Sequence, residues 1–206
     1  LTNLLSFLKI DRQRFCQLLR ATMQSIASNK KVYIILDVDI SESAHYAKRL
    51  TEELFHCLPF EYRRHFGFCT YQDKPLARKY IDVMFVEKDS IRPGDREVDK
   101  EFVFDFVNQR FMNVDGLDQD NDFLGLIWSS ITRPELIKLF FMFADNALIG
   151  FDQAKKLAFA SYAQLCSIFL VEKGKLDIYE SNKEGMLNGI MSYLNPATLQ
   201  EKAGLY

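Results

Sequence analysis

The residues Val32-Tyr33-Ile34-Ile35-Leu36 form an unbroken apolar run, rich in β-branched side chains, that stops at Asp37. Such a run has no polar side to turn toward water. It therefore suits a strand covered on both faces, as the strands of a parallel sheet are. A polar break, Ala27-Ser28-Asn29-Lys30, precedes it. Beyond it, Tyr46, Ala47, Leu50, Leu54 and Phe55 recur at helical spacing and Pro59 follows, which predicts a helix over 44–57. A buried strand feeding an acidic loop and then a helix is the opening of an α/β fold.

The same reading continues along the chain. Leu4, Leu5, Leu8, Phe15, Leu18, Leu19, Met23 and Ile26 predict helix over 1–28, with Asp11 placed to cap a second piece. His65 to Thr70 predicts a second strand, 79–86 an edge-like third, and Arg92-Pro93-Gly94-Asp95 a turn. Phe102, Val103, Phe106 and Val107 predict an amphipathic helix over 98–111. An acidic loop, 113–122, leads to a helix from Phe123 to Trp128. Leu139 to Ala144 predicts a buried strand, 152–163 a helix, 165–171 a strand, and 183–194 a last helix stopped by Asn195-Pro196. The alternation implies a mostly parallel central sheet with helices on both faces, a Rossmann-like three-layer sandwich. Residues 1–29 would be a helical extension and 30–206 one domain.

Composition removes several classes of function. A net charge of −2 gives no electrostatic case for nucleic acid or an anionic membrane. No apolar run approaches the ~20 residues of a membrane span. Cys16, Cys57, Cys69 and Cys166 form no metal-binding pair and suit buried thiols of a reducing compartment, so the expected location is intracellular and cytoplasmic. The chain starts at Leu1 and reads as a piece of a longer protein. It contains neither phosphate-binding glycine pattern, and Ser129 and Ser130 lack a nucleophile-elbow context. His45, His56 and His65 are scattered. The 18 phenylalanines predict an aromatic core.

In open α/β sheets, ligands bind outside the carboxyl ends of the strands. Three acidic segments are expected there: Asp37 to Ser43, Asp115 to Asp122, and Asp145. Carboxylates gathered without adjacent Lys or Arg repel one another, and a hard cation relieves that repulsion. Hydroxyl ligands with few carboxylates suit Mg²⁺ or Mn²⁺. The candidate ligands are Asp39, Ser41 and Ser43 from one loop, and Asp118 and Asp145 from two others. Either Asp37 or Asp39 could lead the first loop. Asp120 and Asp122 suit capping of the following helix.

Asp39-Ile40-Ser41-Glu42-Ser43 resembles the DxSxS motif of von Willebrand factor A domains. The segments from Gly116 to Gly125 and from Ala144 to Gly150 are similar to stretches of the branch found beside α-type protein kinases. The resemblance covers about 30–172 and implies a metal-ion-dependent adhesion site. Asp39, Ser41 and Ser43 would be first-loop ligands, Asp118 would stand where many members carry a Thr, and Asp145 would be the third-loop acid. A protein partner's acidic side chain would complete the metal sphere, without enzymatic activity. A rival reading takes Asp37 as the nucleophile and Asp39 as the general acid of a haloacid-dehalogenase-type phosphatase, with Asp145 and Asp152 as metal-binding acids. A third is a scaffold that has lost its metal.

Overall fold

A computed structural model describes residues 2–92, 94–117, 119 and 121–193. The chain divides into two compact units, residues 1–119 and 120–206.

The first unit is α/β. In chain order it holds α1 (Thr2–Phe7), α2 (Arg12–Ala27), β1 (Val32–Ile35), α3 (Ile40–Cys57), α4 (Phe60–Arg63), β2 (Phe68–Gln72), β3 (Val83–Val86), β4 (Phe102–Asp105), β5 (Arg110–Met112) and a 3-10 turn (Asp115–Leu117). The five strands lie in the order β2-β3-β1-β4-β5. β2, β3, β1 and β4 are parallel, and β5 runs antiparallel to β4. The sheet is thus mostly parallel, as the run at 32–36 requires.

β1 is the centre, and all four of its residues are buried. Val32 pairs with Val83 on one side and Phe102 on the other, and Ile34 with Phe85 and Phe104. One face of the sheet, formed by Tyr33, Ile35, Met84, Val86 and Val103, is covered by Ile91 and Val98 from the segment between β3 and β4. α2 packs against β1 and α3 against β2. Asp11 caps α2, its carboxylate accepting from Arg14 N at 2.8 Å as the sequence predicts. The Arg14 guanidinium then stacks 3.8 Å over the Phe111 ring of β5.

Two expectations for this unit change. The helix predicted over 98–111 is the β4–β5 hairpin, with Phe104 facing Phe111 across it. A strand buried on both faces shows no alternation, so the pairs Phe102-Val103 and Phe106-Val107 imitate a helical stripe. The segment 79–86, read as edge-like, contributes the interior strand β3, and β2 forms the edge.

Asp82, just before β3, joins the start of the sheet. Its carboxylate accepts from Gly67 N at 2.8 Å and its own N–H donates to Gly67 O at 2.8 Å. Its carbonyl accepts from Val32 N at 2.9 Å and from the Ser25 hydroxyl at 3.2 Å. β2, β1 and α2 are thereby tied to one residue. Gly67 is required by space, because a Cβ there would stand 1.7 Å from the Tyr80 carbonyl oxygen.

The second unit is helical throughout its described residues: α5 (Asp122–Ser130), α6 (Pro134–Ala147), α7 (Gln153–Lys156), α8 (Phe159–Glu172), α9 (Leu176–Ser181) and α10 (Lys183–Tyr193). The strands predicted at 139–144 and 165–171 lie inside α6 and α8. Their burial explains why: Ile137, Phe140, Phe141, Ala144 and Ala147 are buried while Leu139 and Met142 are exposed, a spacing of three and four. The Phe123 ring lies within 5.6–6.1 Å, centroid to centroid, of Phe140, Phe159 and Tyr162, which realises the aromatic core. The helix predicted over 183–194 corresponds to α10, while Asn195 and Pro196 lie outside the described residues. No helix of the described residues is long and apolar enough to cross a membrane.

Two substitutions test this packing. Gly67→Ala is expected to lower unfolding free energy by roughly 2–3 kcal/mol, because backbone must move to admit the methyl group; chemical denaturation measures it, and an unchanged midpoint would refute the close approach. The Tyr33 hydroxyl is buried without a hydrogen-bond partner among the described residues. Burial, then Glu101 and Glu97, push its ionisation up to about 12. Tyr33→Phe is therefore expected to match or exceed the wild type in stability, by up to about 1–2 kcal/mol; a clear loss would mean that the hydroxyl is bonded.

Candidate functional site

The carboxyl edge of the sheet was the predicted site. Asp37 follows β1 there. Its carboxylate accepts from Lys9 Nζ at 2.8 Å and lies 3.6 Å from Lys88 Nζ. The Lys9 hydrogen bond and charge, joined by Lys88, hold this carboxyl below its ordinary range. The expected like-charge repulsion is therefore met by two lysines, one nearly thirty residues before Asp37 and one some fifty residues after it. Neither lies in the acidic segment that suggested a cation.

Asp39 is the exposed N-cap of α3; its carbonyl accepts from Glu42 N at 2.9 Å, and its side chain makes no capping hydrogen bond. Ser41 and Ser43 lie in the first turn of the same helix. Two residues apart on a helix, side chains diverge by about 200°. Asp145 lies within α6 of the second unit, so no strand carries it to a sheet edge. Asp118 and Asp120 lie outside the described residues. Asp122 accepts from the Ser167 hydroxyl at 2.7 Å, and Asp152 caps α7 by accepting from Lys155 N at 2.8 Å. Among the described residues no three His, Cys, Asp or Glu side chains are grouped to hold a metal ion. The metal-dependent adhesion reading is corrected accordingly. Buried Asp105 is likewise structural: it accepts from Asn108 N and Nδ2, both at 3.0 Å, and lies 3.4 Å from Arg110, which also donates to Ile91 O at 2.7 Å.

A different surface gathers at β2. Phe68 and Tyr71, each 44% exposed, belong to this edge strand. The crossover from β2 to β3 adds exposed Leu76 and Tyr80, the latter 77% exposed. Tyr80 also holds a φ of 64°, a left-handed conformation that a bulky side chain adopts at a cost of about 1–2 kcal/mol. The crossover is pinned at its start by buried Gln72, whose Nε2 donates to Lys74 O and to Leu76 O, the latter at 3.0 Å. Gln72 Oε1 is buried with no donor among the described residues. At its end, the crossover is pinned by the Asp82–Gly67 pair.

The charge around this edge is one-sided. Residues 61–80 contain Arg63, Arg64, Lys74, Arg78 and Lys79 against Glu61 and Asp73, in a chain whose net charge is −2. Arg63 and Arg64 are engaged locally, the first with the carbonyls of Leu58 and His56 and the second with Glu61. Lys74, Arg78 and Lys79 are exposed, and Lys79 Nζ lies 4.8 Å from the Tyr80 ring centroid. The sequence carried this signal as basic residues interleaved with aromatics, but an average charge over the whole chain conceals it.

A family model described as GTPase-associated protein 1, middle domain, matches residues 4–108. The match runs from α1 to the turn of the β4–β5 hairpin and includes the whole β2 edge. It replaces the resemblance to von Willebrand factor A domains, which rested on the Asp39–Ser43 pattern and the stretches from Gly116 to Gly125 and from Ala144 to Gly150. No curated protein and no solved structure matches the chain.

The Asp82 carboxyl gives this site a pH signature. Burial raises its ionisation above the ordinary carboxylate range, against the opposing Gly67 hydrogen bond and the Lys31 charge. A raised folded-state value means that the protonated form is favoured on folding, so this contribution is full below the unfolded value and lost as pH rises through the folded one. Asp82→Asn keeps an acceptor for Gly67 N without the charge. It is expected to melt with the wild type in strong acid and above it at neutral pH; melting curves across that range check this, and a constant difference would refute it.

Proposed function

Since the chain belongs to the GTPase-associated protein 1 middle-domain family, we propose that its first unit is a protein-binding module that works beside a GTPase and binds through the β2 edge. The observation that carries this reading is the concentration of exposed Phe68, Tyr71, Leu76 and Tyr80 on one strand and its crossover. Solvent-facing aromatics among basic side chains are the usual anchors of protein interfaces, where a few rings and guanidinium groups supply most of the affinity. The family description supports a GTPase as the neighbour. The partner is bound by contact with aromatic and basic side chains.

The test titrates the full chain against GTPases of its own host, each loaded with GDP or a non-hydrolysable GTP analogue. Saturable binding to at least one is expected, weakened at least tenfold by Phe68→Ala combined with Tyr71→Ala. Absence of binding to every GTPase up to about 100 µM, about −5.5 kcal/mol, with the chain folded, would overturn the reading.

A further inference from the structure

We propose that the β2 edge takes an acidic, extended segment of the partner as an added strand of the sheet. This rests on the protein-binding reading above and specifies its chemistry. Among the described residues, β2 is hydrogen-bonded to β3 alone. Gly67 turns its carbonyl to Val83 N at 3.2 Å, and Gln72 turns its carbonyl to Glu87 N at 3.1 Å. Successive residues of a strand point their backbone groups to opposite sides, so Phe68, next to Gly67, directs its N–H and C=O groups away from the sheet, ahead of the register shift between Cys69 and Gln72. The backbone hydrogen bonds of the crossover, Leu76 N to Lys74 O and Ile81 N to Arg78 O, stay within the crossover or, at Asp82, reach Gly67. None among the described residues caps the outward groups of Phe68.

An unpaired strand edge accepts another backbone in extended form. Side chains of that strand fall on alternate sides and would meet Phe68 and Tyr71. The flanking Lys74, Arg78 and Lys79 make no ion pair among the described residues. A strand that carries Asp or Glu between its apolar residues matches both features. A single-stranded nucleic acid would match the charge and the rings but leave the outward amides and carbonyls unpaired.

The experiment selects a display library of random twelve-residue peptides against the full wild-type chain. It then measures binding of the enriched peptides, and of a ten-nucleotide thymidine strand, to the wild type and two variants. Phe68→Pro removes an outward N–H at a position where an edge strand tolerates proline. Tyr80→Gly removes the exposed ring and suits the backbone at φ 64°. Thermal melting confirms that each variant folds.

The expected result is enrichment of peptides that alternate apolar and acidic residues, with slowed exchange of the Phe68 amide on binding. Affinity should fall at least tenfold in each variant. Enrichment of neutral or basic peptides, failure to enrich any, an unslowed Phe68 amide, or binding of the thymidine strand alone would each overturn the proposal. The two readings fail separately. A GTPase that binds both variants as tightly as wild type removes the added strand but not the association. Peptide binding in a chain that binds no GTPase removes the association but not the added strand.

Discussion

The amino-terminal rim of the first unit depends on Asp82 because four hydrogen bonds meet there. Through it, the first residue of β1, the approach to β2 and the last turn of α2 are held in register. The bond between its carboxylate and Gly67 N replaces a sheet bond where the pairing of β2 with β3 begins. That contact in turn demands a glycine, since the Tyr80 carbonyl occupies the space of a Cβ. A left-handed Tyr80 is then a consequence: the crossover must return within a few residues to a fixed point. The cost of burying a carboxylate at this point is offset by the sheet it organises.

How much of this could be read from residues depends on how many faces an element buries. β1 was legible because a short apolar run rich in β-branched residues, bounded by polar residues, leaves few choices. α2 and α3 were legible because each has one wet face, and at α2 the Asp11 cap agrees with the period. β4 was not. Phe102, Val103 and Phe104 are all buried, and a strand without a wet side carries no alternation to distinguish it from helix. Residues 139–144 failed for the opposite reason. Leu139 and Met142 are apolar yet exposed, which filled in the gaps of the helical stripe and made α6 look like a continuous strand.

The site was less legible than the fold. Acidic residues after a buried strand pointed to the carboxyl edge, and Asp37 does stand there. What could not be read is that Lys9 and Lys88, remote in sequence, reach the same carboxylate. Charge balance is a property of the folded surface. A motif-based argument from neighbouring residues alone therefore overstates repulsion and the need for a cation. The β2 surface was hidden in the converse way. Its basic and aromatic residues are close in sequence, but whether they face water depends on β2 being an edge, and strand order is set by pairing across the sheet.

An open edge is a hazard as well as a device, since identical edges can pair with one another. Basic residues on the crossover separate the two outcomes. Two copies brought edge to edge would set Lys74, Arg78 and Lys79 of one against those of the other, with like charges opposed and Asp73 and Glu87, which accepts from the Tyr71 hydroxyl at 3.4 Å, as the acidic groups beside them. An acidic strand meets the same groups with the sign reversed. Exposed charge pairs are each worth little, about 0–1 kcal/mol, yet several acting together distinguish a partner from a second copy by the sum of an attraction and a repulsion. The crossover that strains Tyr80 and demands Gly67 thus also places the charges that keep the edge available to a partner and closed to itself.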